Sequence, residues 1–210
     1  MATVQKFKAS AVVNLLRHNE RSIRSPSNQD IDFQRTPDNY SLAPDRGISS
    51  YDYFKDRKQQ LYCYNRADVN VMVGWVVTAP ADLPEREKKR FFQATYNFLE
   101  TRYHKENVIQ AIVHRDESGQ DHLHFCFIPV VPDLKHGGEK ICSNDILTRK
   151  ELRNFHPDLQ SYLDRQGILA KVYTGITKEQ GGNRTVKEMK RERDLQHERQ
   201  NNRSRDLGRW

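Results

Sequence analysis

No apolar run in the chain approaches the length needed to cross a bilayer, and Met1 to Lys8 lacks the apolar core of a signal peptide. Cysteine is scarce. Cys63, Cys126 and Cys142 are an odd number at unrelated spacings, which argues against a disulfide framework and makes a reducing cytoplasm the expected setting. There is no internal repeat, no low-complexity tract, no Gly-rich phosphate loop and no Ser-based nucleophile motif. What remains is a chain of 210 residues, most economically one domain with a tail, and long enough for a full core. Its net charge of +7 favours an anionic partner, nucleic acid first, although so modest an excess does not identify one.

The most informative stretch is His114 to His124. Ahead of it run Val108, Ile109, Gln110, Ala111, Ile112 and Val113, and behind it Phe125, Cys126, Phe127 and Ile128. Two short apolar runs separated by a polar, Gly-containing stretch read as the strands of a hairpin. Side chains alternate along a strand, so His122 and His124 share one face while Leu123, Phe125 and Phe127 share the other. Pairing of His114 with His122 brings His114, His122 and His124 to one surface, within reach of one ion. Three imidazoles without a fourth protein ligand leave an open position, as a catalytic metal site requires. Cys126 continues the same face, as a sulfur ligand or, more in keeping with its type, as a small core filler. Asp116 and Glu117 lie in the connecting loop, as partners of the ligands or as solvated charges.

The rest of the chain reads as strands connected by helices. Thr3 to Lys8 alternates weakly as a first strand, and Ser10 is placed to cap a helix with Val12, Leu15 and Leu16 on one face. His18, Asn19, Glu20 and Arg21 end that helix. From Ser25 to Arg66 the composition turns polar, a wrapping segment with a helix expected near Tyr51 to Leu61. Its tyrosines, interleaved with Arg35, Arg46, Lys55, Arg57 and Lys58, suit either stacking on unpaired bases or an ordinary covering layer. Val69 to Val77 is a strand. Asp82 and Pro84 open a helix striped with Phe91, Phe92, Tyr96, Leu99 and Tyr103. Thr148 and Glu151 form a capping box for a helix, or two helices meeting near Pro157, that Gly167 ends. Ile168 to Tyr173 is expected as a last strand and Thr185 to Arg205 as a charged helix. An antiparallel or mixed sheet covered by helices follows, an α/β (α+β) architecture.

These residues resemble a family, the Mob/Pre (MobV) plasmid mobilisation relaxases, within the wider group of His-hydrophobe-His endonucleases. The resemblance is carried by His18, Asn19, Glu20 and Arg21; by Asn28, Asp30, Ile31, Arg35, Asn39, Tyr40 and Leu42; by Arg66, Asp68 and Trp75; by His114, Asp116, Glu117, Ser118, His122 and His124; and by Thr185, Val186, Glu188 and Lys190. The spacing from His114 to His122 is one residue longer than the family form, with Gly119, Gln120 and Asp121 where a shorter Pro-containing turn is expected. The resemblance implies a five-stranded antiparallel sheet flanked by helices, a divalent metal on the three histidines, and cleavage of one DNA strand at an origin of transfer. It further implies that His18 is the nucleophile, which ends covalently attached to the 5′ phosphate.

On that reading residues 1–183 form the catalytic domain, and 184–210 a charged helix and tail leading into a longer protein. Three imidazoles favour Mn²⁺ over Mg²⁺, and Zn²⁺ also fits. Glu117 is the candidate to orient the His18 ring or take its other proton, and Arg21 and Arg66 are the candidates to grip phosphate. Arg24, Arg35 and Tyr40, with Lys187 and Lys190, are candidate DNA contacts. Conjugation coupling proteins are the partners implied in a bacterial cytoplasm. Two other functions fit the residues less well: a metal-dependent hydrolase with no covalent step, and a non-catalytic DNA-binding protein whose metal merely holds the hairpin.

Overall fold

The computed structural model describes residues 1–23, 28 and 30–172. Among these the chain runs β1 (Ala2–Lys8), α1 (Ala9–Asn19), β2 (Tyr40–Ser41), α2 (Ser50–Gln59), β3 (Asn70–Thr78), α3 (Glu85–Tyr103) and β4 (Val108–His114). It continues through β5 (His122–Phe127), β6 (Val130–Pro132), β7 (Glu139–Ile141), α4 (Ser143–Ile146) and α5 (Arg149–Arg165). Five strands make one antiparallel sheet in the order β1-β3-β5-β4-β2, and β6 with β7 form a separate hairpin.

Alternation gives this sheet two different faces. On one, Trp75, Val77, Ala111, Val113, Leu123, Phe125 and Phe127 are buried in a common cluster with Phe91, Phe92 and Leu99 of α3 and Phe155, Leu159 and Leu163 of α5. The anchor is Trp75, whose ring stacks on Phe155 at 3.6 Å. Its Nε1–H donates to the Tyr103 hydroxyl, which donates to Glu151, and Arg102 grips the same carboxylate with two nitrogens. Fully burying an aromatic such as Phe155 stabilises by roughly 1.5–3 kcal/mol, so α5 is held mainly by its apolar stripe, with the polar chain fixing its register. On the other face, Val12 and Leu16 of α1 and Phe54 of α2 cover Met72, Ile109, Cys126 and Ile128. Gly74 in β3 matters here, because a Cβ at that position would lie 3.0 Å from the Phe7 ring. Layers of helix on both faces bury β3 almost throughout.

Three local expectations fail for identifiable reasons. Ser10 caps nothing: β1 runs directly into α1 at Ala9, with Lys8 as N-cap and no side-chain capping bond. Thr148 Oγ1 accepts the Glu151 N–H at 3.1 Å, but the Glu151 side chain turns to Arg102 and Tyr103, so half of the capping box forms. Residues 168–172 are not a strand, although Ile168, Ala170 and Val172 are buried in alternation. Their backbone is satisfied instead by the Gln160 amide, which donates to Ala170 O and accepts from Val172 N–H, both at 2.9 Å. The expected charged helix, and with it the 184–210 segment, lies outside the described residues. So do Arg24, Lys187 and Lys190.

Candidate active site

Strand β5 is paired so that His122 lies opposite His114 of β4, and His124 opposite Ile112. All three imidazoles therefore reach one surface, on the α1 side of the sheet. Ring centroids are 5.4 Å apart for His114 and His122, 4.5 Å for His114 and His124, and 4.9 Å for His122 and His124. One ligand atom from each ring falls within 4.8 Å of the others.

Two of the histidines are oriented by carbonyls. His114 is buried, and its Nε2 lies 2.7 Å from Asn19 O; a carbonyl only accepts, so this nitrogen is the protonated one. His122 Nδ1 likewise donates to Gln120 O at 3.0 Å, leaving Nε2 with its lone pair. Burial pushes the His114 pKa down to about 4 despite the opposing bond to Asn19, and burial with the neighbouring imidazoles keeps His124 well below the usual histidine range. Three clustered imidazoles are a fitting donor set for a divalent first-row cation, although the His114 Nδ1 lone pair accepts from Arg21 Nη2 at 3.1 Å and a metal ligated there would displace that bond. His114, Asp116 and Glu117 also cluster, but Arg21 pairs with both of those carboxylates, whereas of the three imidazoles it touches His114 alone.

Arg21 ties the helix to the hairpin. It follows α1 in the left-handed region, φ 56°, where its N–H bonds His18 O and the next N–H, Ser22, bonds Arg17 O. This is the helix-ending geometry glycine usually supplies. Arginine is present because its side chain is used: Nε and Nη2 grip Asp116 at 2.9 and 2.7 Å, Nη2 also reaches Glu117 at 2.8 Å and His114 Nδ1 at 3.1 Å, and Nη1 donates to His18 O. The guanidinium is 4% exposed and the Asp116 carboxylate 0%. Burial would raise Asp116, but bonds from Arg21, Asn39 and Thr36 outweigh it and hold the carboxyl well below the usual range.

His18 is half-buried at the end of α1. Burial and the adjacent Arg21 charge lower its pKa, opposed by Glu117 and Asp116, so the ring is neutral at pH 7. Glu117 is thus close enough to act on His18 electrostatically, while its carboxylate is hydrogen-bonded to Arg21.

The structure redistributes several expected roles. Arg21 is not free to grip phosphate, since two carboxylates and two other acceptors take its donors. Arg66 precedes β3 at the end of the sheet remote from the imidazoles, exposed and paired with Asp68 at 3.4 Å. The eight residue steps from Asn70 to Thr78 alone span about 26 Å. Tyr40 packs against the α3 and α5 cluster, the opposite sheet face from the imidazoles, where burial pushes its pKa up to about 12. Arg35 is exposed on the loop that wraps Asp116. Cys126 is buried, accepts a weak bond from Asn19 at 3.6 Å and has its thiol pushed up to about 12 by burial, all in keeping with a filler.

Sequence reasoning missed the residues that hold this arrangement. Asn19 Nδ2 donates to Gln110 Oε1 at 2.9 Å, and Gln110 Nε2 donates to Leu16 O and to Glu20 at 3.3 and 2.9 Å. A glutamine inside an apolar strand, at a position sharing the face of His114 and Ile112, was the available signal. Gln110→Leu is expected to cost about 1–3 kcal/mol of stability by leaving buried groups unpaired. It should also weaken Mn²⁺ binding about tenfold through the loosened Asn19 carbonyl. Melting with and without Mn²⁺ separates these effects, and an unchanged Mn²⁺ response makes the network purely structural.

Comparison with known structures defines the class first. The MobM relaxase domain bound to oriT DNA, in its Mn-bound structure at pH 6.8, superposes with a TM-score of 0.74 and 30% identity, covering 91% of this chain and 97% of that one. The Mn-bound structure of that domain at pH 4.6 gives 0.73 and 30%, covering 91% and 98%. The fold is that of a relaxase domain. The sequence profile described as Mob_Pre, plasmid recombination enzyme, matches residues 1–191, and the chain belongs to this family. The plasmid recombination enzyme of Bacillus thuringiensis is 32% identical over 170 residues, covering 79% of this chain and 37% of the relative. That of Streptococcus agalactiae is 31% identical over 199 residues, covering 91% and 38%. The chain thus spans less than half the length of these relatives.

A metal held by the imidazoles stabilises the folded state by mass action. At about a hundredfold over Kd the gain is about 2.7 kcal/mol, or roughly 5–10 °C in melting temperature for a domain of this size. His124→Ala is expected to abolish most of the Mn²⁺-induced shift, whatever it does to the metal-free baseline. A full shift in the variant moves the ion elsewhere.

Proposed function

We propose that this chain is the catalytic domain of a relaxase that nicks one strand of plasmid DNA at an origin of transfer and stays attached to the 5′ phosphate through His18. The observation that carries this reading is the bond from His114 to the Asn19 carbonyl, which fixes a candidate metal ligand against the residue next to His18. Mn²⁺ is the preferred ion, with Mg²⁺ and Zn²⁺ as alternatives. When bound, it polarises the scissile phosphate and offsets charge in the transition state.

The chain's residues supply the remainder. A neutral His18 nitrogen forms the bond to phosphorus as the P–O3′ bond breaks and its electron pair leaves on O3′, which takes up a proton. Glu117 and Asp116 stabilise the positive charge that develops on the ring, consistent with the direction in which both act on it. Arg21 positions these groups and does not touch phosphate. The retained phosphoramidate keeps the bond energy for rejoining when a 3′ hydroxyl attacks in reverse.

Placement of the tyrosines supports histidine as nucleophile. Among the described residues, the Tyr53, Tyr96 and Tyr103 hydroxyls bond Glu106 O, Glu100 and Glu151; Tyr40 and Tyr162 pack with the α3 and α5 cluster; Tyr51 stacks on Phe54; Tyr62 and Tyr64 meet edge to face near Arg66. No helix among the described residues is long and apolar enough to cross a membrane. We place the protein in the bacterial cytoplasm with its plasmid, with coupling proteins as partners of the longer chain and 1–183 as the catalytic unit.

The test is incubation with Mn²⁺ and supercoiled DNA carrying the region that flanks the gene. A nicked product bearing protein that survives denaturation and mild alkali but is released by acid establishes the reading. Nicking without attached protein makes the enzyme a hydrolase.

A further inference from the structure

Residues 31–39 form a strap fastened to the hairpin of β4 and β5. Ile31 bridges Glu117, Asp32 N–H donates to Asp116 O at 2.7 Å, and Thr36 Oγ1 and Asn39 Nδ2 donate to the Asp116 carboxylate at 2.9 and 2.8 Å. Asn39 Oδ1 also takes the Arg115 N–H. Between these fastenings stands Phe33, 54% exposed and one peptide, about 3.8 Å between Cα atoms, from Asp32. The intervening turn is closed on itself by Gln34 N–H to Asp32 Oδ1 and Arg35 N–H to Asp32 O, both at 3.0 Å.

A single exposed apolar ring is ordinary on a protein surface. This one differs in what holds it out. Folding Phe33 inward requires releasing the strap from Asp116, the carboxylate that holds Arg21 and, through it, the end of α1. The bonds that assemble the site therefore also display the ring beside it. Arg35 is exposed two residues further on, and the acid that precedes Phe33, Asp32, accepts the Gln34 N–H. An aromatic face with a nearby guanidinium suits a base and its phosphate in unpaired DNA.

We propose that Phe33 is a base-stacking platform for the single strand entering the site, with Arg35 taking a phosphate of the same segment. This rests on the relaxase reading and adds the contact that holds the strand in place. Because every base has a π-face, the platform grips without choosing sequence.

The test measures binding of a fluorescein-labelled, randomised single-stranded oligonucleotide by anisotropy at low salt, alongside the Mn²⁺-induced melting shift. Phe33→Ala is expected to bind about tenfold more weakly, while Phe33→Trp stays within about twofold of the parent chain and both keep the full Mn²⁺ shift. Equal binding by Phe33→Ala and the parent overturns the platform and leaves the nicking reading intact. Loss of the Mn²⁺ shift together with DNA binding in Phe33→Ala also overturns it, because the ring then serves the strap. Failure of the parent chain to bind the oligonucleotide overturns the platform and the relaxase reading together.

Discussion

Replacing His18 with alanine is expected to eliminate the denaturation-resistant DNA adduct and to slow strand cleavage by a factor on the order of 10⁴–10⁶, as removal of an attacking group does in other covalent enzymes. The fold should not notice. His18 is half-buried, and the contacts to β4 at this end of α1 are made by its neighbours Leu16, Asn19 and Glu20. A melting temperature within about 2 °C of the parent and an unchanged Mn²⁺ shift are therefore expected, as for a substitution outside the packed core. The direction of the His18 shift makes the variant informative, because burial and the Arg21 charge keep the ring neutral, so nothing need be ionised before attack. A tyrosine, with an ordinary pKa of about 10, would have to lose a proton first. An adduct that survives in His18→Ala moves the nucleophile elsewhere and refutes the assignment.

Arg21→Ala carries the second large effect, on stability as well as activity. The substitution leaves the Asp116 carboxylate, 0% exposed, without its counter-charge. Breaking a buried pair by deleting one partner costs about 3–5 kcal/mol, or roughly 6–20 °C in melting temperature at this chain length. Lysine retains charge without the fork and cannot satisfy Asp116, Glu117 and the His18 carbonyl together, so Arg21→Lys should fall in between. Adding Asp116→Ala to Arg21→Ala removes the stranded charge, and the double variant should be less destabilised than the two single losses added together. Thermal melts of Arg21→Ala, Arg21→Lys, Asp116→Ala and the double variant decide the matter. An Arg21→Ala chain melting within a degree or two of the parent would show the pair to be dispensable.

Much of the site was legible because strand periodicity is a strong local signal. The common face of His122 and His124 followed from alternation, and the pairing of His114 with His122, which pattern offered only as the condition for a three-histidine surface, is the one the sheet adopts. The five-stranded antiparallel sheet implied by the resemblance is also the one observed. Its fifth strand was not legible from pattern, since β2 is the two-residue pairing of Tyr40 and Ser41 with β4, too short for any period. Conversely, Ile168, Ala170 and Val172 alternate like a strand because one side of the segment packs on the core, while the Gln160 amide replaces a neighbouring strand. Arg21 was legible only in part, for a different reason. An arginine beside a candidate nucleophile reads as a candidate phosphate ligand, and only the fold reveals that a buried carboxylate 95 residues away pairs with it.

The tip of this hairpin is open at its apex and fixed on its return side. Asp121, nearly buried, is held by Lys88 and Arg115 at 3.2 Å each, and its carbonyl takes the Ala79 N–H, so the return strand starts from a fixed point. Gly119, at the apex, has open space around it. Loop length and ligand register are thereby uncoupled: residues can be gained or lost around Gly119 while Asp121 still sets the phase of His122 and His124. Such a hairpin can change in length at its rim while the three imidazoles beneath it stay in register.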